Sequence, residues 1–89
     1  MIDPGLPREI AARLAAYDDL QRGTESLKVE YAPLRFSHCD EDDVPQNARA
    51  VAQGDDFGVY LVAGGEGCLS LTDDPELAAA ILIAERSEG

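Results

Sequence analysis

The densest strand-forming stretch of the chain is Phe57-Gly58-Val59-Tyr60-Leu61-Val62-Ala63, and a second such run, Cys68-Leu69-Ser70-Leu71-Thr72, follows Gly64-Gly65-Glu66-Gly67. Glycines between the runs can take the positive φ of a tight reversal, so the pattern predicts a β-hairpin. Setting Ala63 opposite Cys68 puts Val62 against Leu69 and Tyr60 against Leu71, which makes one hairpin face wholly apolar. The other face carries Phe57, Val59 and Leu61 against Cys68, Ser70 and Thr72. A first strand apolar on both faces is expected to be covered on both sides or to lie centrally in its sheet.

Upstream the period changes. Ile10, Leu14 and Tyr17 recur at helical spacing, Ala11 and Leu20 widen the stripe, and Pro7 suits a first turn. Glu9 precedes Arg13 by four residues, Arg22 complements the helix dipole and Gly23 can cap, so a helix is predicted over Pro7 to Arg22. Leu27, Val29 and Tyr31 then alternate with Lys28 and Glu30 as a half-buried strand. Beyond Pro33, Leu34, Phe36 and His38 alternate in the opposite parity. One long edge strand bulged at Ala32-Pro33 accounts for both halves, and two short strands are the alternative. With the bulge, His38 points the way Phe36 does and Cys39 the other way.

The remaining segments are shorter. Asp40 to Asp43 form an acidic loop, and Pro45 to Gln53, closed by Gly54, reads as a short helix. Asp73 or Asp74 can cap a helix with Pro75 and Glu76 in its first turn. The alanines of Leu77 to Ala84 favour helix and Ile81-Leu82-Ile83 favour strand, and a short helical turn followed by a strand reconciles the two. The fold expected is α+β, a single small domain over residues 1–89. An N-terminal helix packs on a small antiparallel sheet of three or four strands built round a central hairpin.

Composition limits the core and the partners. Of the 45% hydrophobic residues thirteen are alanine, so the core is small and self-association would help it. A net charge of −11 repels nucleic-acid phosphates and anionic membranes and admits a basic protein partner. No apolar run approaches the roughly 20 residues needed to cross a bilayer, and the start of the sequence has no signal-peptide pattern. Two cysteines without secretory context suggest free thiols in a cytoplasmic protein.

Candidate chemistry concentrates in Ser37-His38-Cys39-Asp40-Glu41-Asp42-Asp43. If the strand ends there, His38 and Cys39 could join Cys68, with Asp40 or Glu41, in a site suited to zinc or another soft-to-borderline metal. The spacing matches no zinc motif, and the packing alternative is a strand histidine beside a small apolar cysteine. A thiol redox site is a related reading, opposed by the acidic neighbours, which repel a thiolate. No convincing catalytic constellation is present, so an enzyme is the weakest expectation. The acids themselves, Asp40, Glu41, Asp42, Asp43, Asp55 and Asp56, form a candidate surface for a basic partner. The two clusters next to the hairpin, Asp55-Asp56 and Asp73-Asp74, are expected near one end of the sheet.

The stretch His38-Cys39-Asp40-Glu41-Asp42-Asp43-Val44, then Phe57-Gly58-Val59-Tyr60-Leu61-Val62 and Cys68-x-Leu-x-Leu-Thr-x-Asp-Pro, resembles a group of short uncharacterised bacterial proteins associated with nitrogen-fixation accessory genes. The resemblance covers about residues 34 to 84 and assigns no chemistry to any position. It implies a cytoplasmic accessory protein working beside metalloenzyme assembly or electron transfer, and it adds some weight to a metal at His38, Cys39 and Cys68.

Overall fold

The computed structural model describes residues 2–44, 48–54, 56–63 and 70–86. Two helices come first, α1 (Leu6–Ala15) and α2 (Leu20–Glu30). They are followed by β1 (Arg35–Asp40), a 3-10 turn (Glu41–Asp43), β2 (Ala52–Gln53), β3 (Phe57–Ala63), β4 (Ser70–Thr72) and β5 (Ala78–Glu85). The strands form one mixed sheet in the order β1-β5-β3-β2, with β4 also paired to β3. The α+β class expected from the pattern is the class observed. Among the described residues the strand count is five, and β1 runs parallel to β5 while the other pairings are antiparallel.

The helical region departs most from expectation. The predicted helix over Pro7 to Arg22 is two helices, and the predicted strand at Leu27–Tyr31 is the end of the second. Asp19 is the reason for the break. Its backbone is extended and its side chain accepts from the amides of Gln21 and Arg22 at 3.0 and 3.5 Å, so it starts a new helix. Gly23 lies inside α2 and not at a cap. A Cβ there would come within 3.0 Å of Leu14 and Tyr17, so the missing side chain lets the helices approach closely. The alternation at 27–31 also has a helical solution: Leu27 is fully buried, Tyr31 follows one turn later, and Val29 is 80% exposed.

β3 is the middle of the molecule. Its register with β5 runs from Phe57↔Glu85 to Ala63↔Ala78, with a shift between Val62 and Ala63. Its other edge is shared, β2 pairing with Val59 and Gly58 and β4 with Leu61, Val62 and Ala63. Val62 pairs with Leu71, a shift of two residues from the predicted register that keeps Leu71 on its predicted face. The turn itself, with Cys68, lies outside the described residues. The ambiguous C-terminal segment is a short turn at Pro75–Leu77 and then strand, as read from its composition. Ala48–Ala50 are irregular and Ala52–Gln53 is strand, so a helix reaching Gln53 does not form there, and residues 45–47 are outside the described set. Pairing with Val59 and Gly58 takes the backbone groups a helix would have used.

Opposed residues share a face, which sorts the sheet into two sides. Phe36, Ile81 and Leu61 stand in one row, and Ile83 and Val59 in the next, joined by Phe57. Both helices cover this side, α1 over β2 and β3 and α2 over β1, adding Ile10, Ala11, Leu14 and Leu27 to the core. On the far side lie Tyr60, Val62, Leu82, Ala84 and Leu71, with no helix over them among the described residues. Here the connection from β1 to β2 comes across: a Cβ on Gly58 would lie 3.5 Å from that of Ala50.

Two measurements check this arrangement. Asp19→Ala is expected to lower unfolding free energy by about 0.5–2 kcal/mol, the cost of a lost N-cap. A single continuous helix would instead gain from alanine at that position. Ile81→Ala, on the helix-covered side, should cost about 2–5 kcal/mol in denaturant melts, and Leu82→Ala less. Equal losses at 81 and 82 would overturn the assignment of faces.

Candidate functional site

Strand direction decides where the acids gather. Because β1 and β5 are parallel and β3 runs against them, Asp40, Glu85 and Phe57 stand in one row at the same end of the sheet. The 3-10 turn Glu41–Asp43 leaves β1 from this row, and Asp56 enters β3 beside it. Asp40 to Asp43 and Asp56 therefore share one end, while Asp55 lies outside the described residues. Asp73 and Asp74 follow Thr72, which stands opposite Leu61, and the turn they begin leads to Ala78 opposite Ala63, so they lie toward the other end of β3 and not with Asp56 as their position next to the hairpin suggested. The return from β4 to β5 crosses to that far end before the strand begins. There Asp74 accepts from the Glu76 amide at 3.0 Å, and Ile2 donates its amide to the Pro75 carbonyl at 2.9 Å.

Arg86 is tied into the acidic end. Its amide donates to the Asp56 carbonyl at 2.7 Å, its guanidinium donates to Gln53 Oε1 at 2.7 Å, and its Nε lies 3.1 Å from Glu41. It links the ends of β2, β3 and β5 to the turn after β1. Next to it a groove of about 550 Å³ runs between the α1–α2 connection and the sheet, bordered by Tyr17, Asp18, Asp19, Asp56, Glu85 and Arg86. Pattern reading missed Glu85 and Arg86, which follow the apolar run Leu77 to Ala84 and carry no motif of their own. Parallel pairing with β1 brings Glu85 beside Asp40, and antiparallel pairing with β3 brings Arg86 to Asp56.

His38 lies on the helix-covered side, in the row of Ile83 and Val59. Its Nε2 is 3.6 Å from Glu85 Oε1, and both side chains are partly exposed. Asp40 and Glu85 are directly opposed like charges. Cys39 takes the other side, opposite Ala84, so the strand carries the histidine and the thiol to different faces. Burial first, then the charges of Asp43 and Asp40, raise the Cys39 thiol above its ordinary value. Such a thiol is a poor nucleophile and a poor metal ligand at neutral pH. Among the described residues no three histidine, cysteine, aspartate or glutamate side chains are grouped to hold a metal ion. The third member of the sequence-derived set, Cys68, lies outside them.

The geometry therefore defines a small α+β domain whose polar feature is an acidic sheet end. Over residues 10–86 the chain matches a family of unknown function, DUF6129, and it belongs to that family. No curated protein and no solved structure matches it. No described helix is long and apolar enough to cross a membrane.

The state of Cys39 can be measured in a Cys68→Ser protein by alkylation against pH. The rate is expected to rise with a midpoint above the roughly 8.5 of an unperturbed thiol, and to fall to that value in urea. Because the folded state holds the proton more tightly, stability is full below the unfolded value and declines as pH rises through the folded one. A midpoint below 8 would mark an activated thiol and reverse this picture.

Proposed function

We propose that this protein is a non-catalytic accessory domain that docks on a basic protein partner through the acidic end of its sheet. The observation that supports this reading is the convergence of Asp40, Glu41, Asp42, Asp43, Asp56 and Glu85 at one end, with Arg86 bound among them. Charges spread over separate loops would only aid solubility, whereas charges gathered on one rigid edge produce a directed field. Such a field acts mostly on association rate and on choice of partner. The net charge of −11 adds a long-range term of the same sign. On this reading the protein works in the cytoplasm. Its resemblance to accessory proteins of nitrogen fixation suggests a partner in metalloenzyme assembly or electron transfer. The metal or thiol reading at His38, Cys39 and Cys68 gains no support from the opposed faces of the first two.

The test uses Asp40→Asn, Asp42→Asn and Asp43→Asn together, leaving the Glu41–Arg86 pair in place. Proteins of the source cell captured by the parent chain at ~50 mM salt should be released by ~300 mM, as screening shortens the reach of exposed charges. The triple variant should keep its melting behaviour and associate with the same proteins at least about tenfold more slowly. Capture that is indifferent to salt and to the three substitutions would sink the docking surface.

A further inference from the structure

β1 is an edge strand. It pairs with β5 on one side, and its other side has no strand partner among the described residues. Proteins blunt such edges with proline, bulges, very short strands, a covering helix or loop, or charged side chains, because a row of unpaired N–H and C=O groups is a template for another chain. Of these, β1 has charged side chains at its two ends, Arg35 and Asp40. Its six residues contain no proline, and its register with β5 runs unbroken from Arg35↔Ala80 to Asp40↔Glu85. The opposite edge of the sheet differs, being split among the described residues between β2 with two and β4 with three. Side chains along β1 leave the edge accessible, since Arg35, Ser37, His38 and Asp40 are exposed and only Phe36 is buried. The open edge also leads directly into Glu41–Asp43.

We propose that the outer edge of β1 accepts an extended, lysine- or arginine-bearing segment of a protein partner as an added strand. This rests on the docking function proposed above and specifies how the partner is held. Main-chain hydrogen bonds to β1 would supply affinity, and the carboxylates from Asp40 to Asp43 would select basic residues at one end of the incoming strand. Charge also decides against a second copy of the chain as occupant. Edge-to-edge pairing of two copies would bring together two molecules each carrying a net charge of −11. A basic segment relieves that charge.

The test titrates the full chain with a peptide of about eight residues alternating lysine and valine, long enough to span a strand of this size. Two controls are the glutamate–valine counterpart and the lysine–valine peptide N-methylated at every backbone amide. Hydrogen exchange of amides 35–40 is the readout. Saturating lysine–valine peptide should slow it by at least about tenfold, and neither control should. Equal binding of the methylated peptide without protection of β1 would overturn strand addition and leave acidic docking standing. Equal protection by the glutamate peptide would overturn the selection for basic residues. No binding of either lysine peptide at low salt would remove both readings together.

Discussion

The structure depends on one constraint, that β3 is apolar on both faces and must be covered on both. Phe57, Val59 and Leu61 are removed from water by the helices, and Val62 is buried on the far side. Such a strand is stable only with neighbours at both edges and cover above and below. β5 meets it along its length, while β2 and β4 divide the remaining edge. The connection from β1 to β2 comes close to the far side because Gly58 leaves room for Ala50 and Tyr60. Helices, edges and connection all answer to that one segment.

A consequence is the placing of charge. Apolar strand interiors push ionisable residues to strand ends, and pairing direction then determines which ends coincide. β1 and β5 both finish in acids, Asp40 and Glu85, and their parallel pairing places these opposite each other. Antiparallel β3 starts at the same level, which adds Asp56. The crowding of acids is relieved locally by Arg86, bonded to Gln53 and Glu41. The acidic end thus follows from burying β3, and any role in docking uses a feature the fold creates anyway.

The helical region shows how one pattern admits two structures. Leu27, Val29 and Tyr31 alternate as a strand would, yet positions 27 and 31 also share a helix face. Asp19 decides between these, because its carboxylate caps α2 and commits the residues after it to helix. Gly23 reads as a terminator in isolation. Its function is visible only beside Leu14 and Tyr17, where a side chain would hold the helices apart.

Local chemistry by itself determined the class of fold, the central strand and the opposite orientations of His38 and Cys39, while residues 77–84 stayed open between helix and strand until pairing with β1 and β3 chose strand. Each local determination rests on a period of two or on burial of a continuous apolar run, both properties of neighbouring residues. Tertiary structure alone decided that β1 lies parallel to β5, that Glu85 and Arg86 meet Asp40, Glu41 and Asp56, and that Asp73-Asp74 lie toward the other end of β3. These are contacts between residues some 30 to 45 positions apart, set by which strands pair and in which direction. No local spacing encodes that choice, because it is settled by burying the faces of the whole sheet at once.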